Sequence, residues 1–221
     1  MVDGNPVIQV EHLSKVYKGT TRALNNLTLA VQPGEVFGYL GPNGAGKTTT
    51  IRILLDIIRP TSGHVTIFGL DAQAELLTVH RRIGFMPGEL NLWNQLTGVE
   101  VVRYVSRVRG ALDMPYVKQI AERLELDLGK KVHDYSSGNK RKLGIVLAFM
   151  HRPELLILDE PTSGLDTRTA RHILTLFRNI AHEQGTTLFI VSHDPLVVDY
   201  VDQAYDLVDG RLAARPIPSR T

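Results

Sequence analysis

Hydrophobic and polar positions follow three different rhythms along the chain. Val7 to Tyr17 and Leu24 to Val31 alternate in character, as strands with one buried face do, and a polar turn at Lys18 to Thr21 joins them. Glu35 to Leu40, Leu155 to Leu158 and Thr186 to Val191 are short runs dominated by apolar residues, the pattern of strands buried on both faces of a parallel sheet. His64 to Phe68 and Ile83 to Met86 read as further short strands. Apolar residues recur at helical spacing in Thr49 to Ile58, Val99 to Val108, Tyr116 to Leu124, the stretch from Ser137 to Met150, and Thr167 to His182. Gln203 to Val208, the Asp209-Gly210 turn and Arg211 to Ala213 predict a terminal hairpin. Strands alternating with helices predict an α/β fold with a mostly parallel sheet and an antiparallel edge. From about residue 88 to 143 little reads as strand. The expected organisation is therefore one domain, with a core of 1–87 and 144–221 and an inserted helical subdomain.

Between the Glu35–Leu40 strand and the following helix stand Gly41, Pro42, Asn43, Gly44, Ala45, Gly46, Lys47 and Thr48, which fit G-x-x-x-x-G-K-[ST], the phosphate-binding loop of a P-loop NTPase core. The glycines let backbone N–H groups approach phosphate oxygens, Lys47 can reach the β- and γ-phosphates, and the Thr48 hydroxyl can ligate Mg²⁺. The helix beginning at Thr49 points its positive end at the anion. A chance glycine turn would not require this strand–loop–helix setting, so the loop predicts nucleoside triphosphate binding. Asp159 and Glu160 end the Leu155–Leu158 run, where Asp159 can hold the Mg²⁺ shell and Glu160 can polarise an attacking water. A solvated pair of loop acids is the plain alternative, disfavoured because phosphate sites lie at the carboxyl ends of such strands. For Tyr17, stacking on an adenine ring and packing on a neighbouring strand are equally open.

Composition changes this picture only at the margins. At 221 residues, with 43% hydrophobic and 22% charged residues, the chain is an ordinary globular length and mixture. A net charge of +2 argues against a nucleic-acid partner bound through bulk charge. Lys140, Arg141 and Lys142 accordingly read as the solvated face of a helix. With no cysteine, disulfides and thiolate chemistry are excluded, and the eight His residues show no ligand spacing for zinc. The N-terminal stretch lacks a signal-peptide pattern, and the longest apolar runs are too short to cross a bilayer.

These motifs, in their order and spacing, resemble the ATP-binding cassette (ABC) ATPases, the nucleotide-binding subunits of ABC transporters. The resemblance covers nearly the whole chain: the phosphate loop, the run Leu156 to Asp166, the His of Ile190 to Asp194, and Tyr135 to Lys142 where the family has its LSGGQ signature. It implies ATP and Mg²⁺ as ligands, with Tyr17 on the adenine, Thr49 beside the phosphate loop, Thr48 and Asp159 at the metal, and Lys47 on the phosphates. Glu160 would be the catalytic carboxylate, and His193, more often structural when it stands alone, would contact the γ-phosphate. Ser136 and Gly138 would meet the γ-phosphate of a second copy, and Asp166 would contact that copy. A transmembrane permease as partner and a place on the cytoplasmic face of the cell membrane are also implied.

Two departures stand out. Tyr135, Ser137 and Asn139 replace the usual Leu, Gly and Gln, while Ser136 and Gly138 are kept. In Ile83 to Glu89, Gly88 stands where the family usually has a Gln that senses metal and membrane subunit, leaving Glu89 or a water to replace it. Both variants are similar to those of bacterial drug, antibiotic or lipid exporters, which usually carry a longer C-terminal extension; a shortened form of such a chain is one expectation. A soluble ABC-type ATPase outside transport and a nucleotide switch without turnover are the competing readings.

Overall fold

The structure, a computed structural model, describes residues 5–19, 21–110 and 113–217. Thr20 of the expected first turn, and the two ends of the expected domain (1–4 and 218–221), lie outside the described residues. The elements run β1 (Ile8–Val16), β2 (Arg22–Val31), β3 (Val36–Leu40), α1 (Lys47–Leu54), β4 (Ser62–Ile67), β5 (Leu70–Asp71), α2 (Leu76–Arg81), β6 (Ile83–Met86), α3 (Gly98–Arg109), α4 (Met114–Arg123), α5 (Ser137–Phe149), β7 (Leu155–Asp159), α6 (Thr167–Gln184), β8 (Thr187–Ser192), β9 (Gln203–Val208) and β10 (Arg211–Arg215).

The strands form two sheets. One has the order β10-β9-β3-β8-β7-β6, with every pair parallel except the β9–β10 hairpin at its edge. The other is a wholly antiparallel sheet, β2-β1-β4-β5. The alternating segments near the N-terminus thus join β4 and β5 in a separate sheet, and the antiparallel edge of the parallel sheet is the C-terminal hairpin.

Strands β3, β7 and β8 are buried throughout, as their continuous apolar runs require. Their residues alternate between two cores. Phe37, Tyr39, Leu155, Ile157, Phe189 and Val191 face the antiparallel sheet and α1, where Phe37 stacks between Phe189 and Tyr205. Val36, Leu40, Leu156, Leu158, Leu188 and Ile190 face α5, α6 and the helices of the 88–143 stretch. Between β6 and β7 every regular element among the described residues is helical. Thr97 and Glu100 form a capping box at the start of α3, Asp113 caps α4, and α5 runs unbroken through residues 143–144. Helix α1 is shorter than the periodicity predicts. Asp56 adopts a left-handed φ of 51°, and the Ile57 N–H turns back to the Arg52 carbonyl (2.8 Å), which closes the helix before Ile58.

Candidate functional site

Strand β3 delivers the chain directly into the phosphate loop. The loop can close only with glycine at its ends: a Cβ at Gly41 would lie 2.4 Å from the Leu207 carbonyl oxygen, and one at Gly46 2.4 Å from that of Ala23. Gly46 also takes a φ of 110°. Thr50, one turn into α1, bonds the Gly46 carbonyl and the Tyr39 hydroxyl, pinning the end of the loop to the strand. Lys47 is buried with its ammonium turned back into the loop. It donates to the carbonyls of Gly41 (2.6 Å) and Pro42 (3.2 Å) and lies 3.5 Å from Glu160 Oε1.

The second half of the site comes from the end of β8, which pairs with β3, and the end of β7, one strand further. Glu160 leaves β7 with a left-handed φ of 48°, and its N–H bonds the Val191 carbonyl. Its Oε2 accepts from Ser192 Oγ (3.0 Å) and from the His193 N–H (3.3 Å), and lies 3.0 Å from His193 Nδ1. One carboxylate therefore joins Lys47 to His193. Burial, then the neighbouring Glu160 charge, pushes the Asp159 carboxyl above the usual range, against the pull of Lys47, the Gly88 N–H that bonds it, and Arg141.

These groups line a cleft of about 930 Å³. It brings together Tyr17, Pro42, Asn43, Gly44, Lys47, Thr48, Thr49, Asp159, Glu160 and His193, and Gly46 lies on its floor. Tyr17 is 39% exposed there, its hydroxyl 3.3 Å from Thr49 Oγ1. Thr48 and Asp159 offer a hydroxyl and a carboxylate, hard oxygen donors suited to Mg²⁺, and a cation would relieve the strained ionisation of the buried Asp159. Gly41 and Ala45 shape the loop without lining the cleft.

Three predicted residues stand apart from that cleft. Ser136 caps α5, its Oγ accepting from the Asn139 N–H (3.2 Å), and Gly138 packs toward Leu165 in the first turn. Asp166 caps α6, accepting from the N–H (3.0 Å) and hydroxyl (2.6 Å) of Thr169, which hold its carboxyl below the usual range. Tyr135, in place of the usual Leu, is buried, and its hydroxyl bonds the Asp127 carbonyl at 2.7 Å.

Two residues differ from, or were missed by, the reading of the sequence. Arg141 does not lie on a solvated helix face: it is 8% exposed, and its guanidinium bonds the Gly88 carbonyl (2.6 Å) and the Glu160 carbonyl. Ser192, buried beneath Glu160, escapes the sequence because only its place before His193 hints at it. Gly88 reaches the site through its backbone, with no room to spare, since a Cβ would sit 3.3 Å from Asp159 Oδ2. Glu89 is exposed and lines the cleft.

A family model described as "ABC transporter" matches residues 24–163, which include the phosphate loop, the signature segment and Glu160. The chain belongs to the ABC transporter family. Among its relatives is the bacitracin transport ATP-binding protein BcrA of Enterococcus faecalis, 38% identical over 91% of this chain and 65% of that protein. The chain thus spans just under two thirds of the length of such curated relatives. Among solved structures, the dimeric bacterial ABC transporter cassette MJ0796 superposes with a TM-score of 0.86 at 26% identity, covering 96% of this chain and all of that one. The same cassette in a post-hydrolysis state with ADP and Pi gives 0.85 at 26% identity, over the same shares.

Proposed function

We propose that the chain is the ATP-hydrolysing subunit of a membrane ABC transporter, and that it works as a head-to-tail pair with ATP between the phosphate loop of one copy and the Ser136 helix of the other. The observation that carries this reading is the cluster at the cleft mouth, where one carboxylate, Glu160, stands between Lys47 and His193. In this reading Lys47 exchanges its carbonyl partners for phosphate oxygens, and Tyr17 meets the adenine. Mg²⁺, held by Thr48 and Asp159, would neutralise charge on the phosphates. Glu160 orients the attacking water and takes up its proton, while Ser192 and His193 hold the carboxylate in place. Ser136 and Gly138 do not line the cleft of their own chain, which is what a site completed by a second copy requires.

Among the described residues no helix is long and apolar enough to cross a membrane, so membrane attachment would come through a permease, with this subunit on the cytoplasmic face. A surface suited to that partner lies behind the ATP cleft. A groove of about 760 Å³ runs between α1, α2, β6 and α3, rimmed by Ile57, Leu77 and Val108 at 62%, 76% and 78% exposure. Such an apolar rim fits a short helix of the permease. The relatives' names favour an exporter of antibiotics or other drugs. Phosphate release from purified chain with Mg-ATP, against the Glu160→Gln variant, tests the reading. Activity lost in the variant supports it, and equal turnover in both removes Glu160 from the role.

A further inference from the structure

Arg141 is buried in the first turns of α5, yet it makes no close ion pair among the described residues. Two of its N–H groups reach carbonyls from separate parts of the chain, Gly88 and Glu160, while its buried Nε has no partner. Desolvation costs this cation more than the nearby Glu160 and Asp159 charges return, so the fork is an expensive way to satisfy two backbone carbonyls. What the fork does supply is direction. Glu160 sits in the left-handed region, a conformation that costs a non-glycine residue about 1–2 kcal/mol and persists only where its surroundings hold it. A donor fixed on its carbonyl sets the plane of the peptide that follows, and with it the aim of the carboxylate at Ser192 and His193. On the other side, the Gly88 N–H bonds Asp159 while its carbonyl bonds Arg141. The loop thus holds the acidic pair through main-chain groups alone.

We propose that Arg141 is a positioning residue, whose guanidinium locks the Glu160 backbone and the Gly88 loop to α5, so that displacement of either the signature helix or that loop moves the carboxylate. This rests on the reading that the chain hydrolyses ATP at Glu160. It gives the Gly88 loop a route to the site without the side chain it lacks.

Full-length Arg141→Lys and Arg141→Met are compared with wild type in steady-state phosphate release over a range of Mg-ATP. Lys keeps the charge but cannot span both carbonyls. Both variants should lose roughly 10- to 100-fold in kcat, the scale expected from misplacing a reacting group. Half-saturation for ATP should stay within about twofold, because the groups that meet the ground-state phosphates are untouched. In the Glu160→Gln background, adding Arg141→Lys should change the residual rate by less than about twofold, since the group it positions is gone. The proposal is overturned if Arg141→Lys turns over within twofold of wild type. It is also overturned if the loss appears in half-saturation or thermal stability instead of kcat, or if the two substitutions multiply. Should Arg141→Met not fold, Arg141→Lys decides alone. Wild-type chain without turnover would remove the ATPase reading and this proposal together, whereas active wild type with an equally active Arg141→Lys removes the proposal alone.

Discussion

The ATP cleft and the groove behind it share two walls, Ile57 and Phe85, but are built on opposite principles. The cleft is organised by main chain and charge. Its loop is closed by glycines with no space for a side chain, and its cation and carboxylates already hold one another. The groove is organised by exposed apolar surface, with Arg109 and a half-buried His151 among its lining residues, and no carboxylate among the described ones. One is complete in its own chain except for the groups a second copy would bring. The other has an apolar surface that stays exposed among the described residues. The shared wall places Phe85 three residues before Gly88, and Gly88 reaches Asp159 directly and Glu160 through Arg141. In this account binding and coupling are neighbours separated by one side-chain layer.

The largest effects should come from disabling the cleft while leaving the groove intact. Glu160→Gln should lower phosphate release by about 10²–10⁴-fold while ATP still binds. Lys47→Ala should lose binding itself, since Lys47 meets charge present before reaction. Equilibrium nucleotide titration beside turnover separates the two. Tyr17→Ala comes next: loss of a stacking face should weaken ATP by about 1–3 kcal/mol, with kcat little changed once the nucleotide is bound. Unchanged affinity would return Tyr17 to packing on its strand.

Disabling the groove should do the reverse. Val108→Asp or Leu77→Asp places a charge on the exposed rim. Either should leave the turnover of the isolated chain within about twofold and abolish stimulation by a co-expressed permease. Equal loss of basal and stimulated rates would contradict the division of labour.

The smallest effect concerns His151 in the groove floor. Burial, reinforced by the Arg109 guanidinium 2.8 Å from its Nε2, pushes its pKa down from 6.5 to about 4, while its bond to the Ile83 carbonyl opposes this. His80 and Arg81 of α2 line the same groove and add no negative charge. The unfolded chain therefore takes up the proton first. Stability from this group is intact above about pH 6.5 and falls as the pH drops toward about 4. Melting temperature against pH should show a shallower fall over that window in His151→Gln than in wild type.

The cleft was far more legible in the sequence than the groove, for a physical reason. The phosphate loop and Asp159-Glu160 are contiguous, and each sits where a continuous apolar run announces a buried strand. The groove is assembled from the end of α1, from α2, β6 and α3, and from His151, and α2 is too short to give a clear period. Arg141 was illegible for the same reason, since its partners lie 53 and 19 residues away and its neighbours Lys140 and Lys142 suggest a solvated stripe. The antiparallel sheet was half legible: β1 and β2 alternate clearly, but β5 has only two residues. Asp166, expected at the contact with a second copy, has its side chain occupied locally as the cap of α6.

At the centre of the account is a cleft that a second copy completes. The direct measurement is the mass of Glu160→Gln by light scattering, with and without saturating Mg-ATP, where binding persists but turnover does not remove the nucleotide. The account predicts a monomer without nucleotide and a dimer with it, and that Gly138→Asp in the same background keeps ATP binding but loses the dimer. A Glu160→Gln chain that stays monomeric with ATP bound would contradict it.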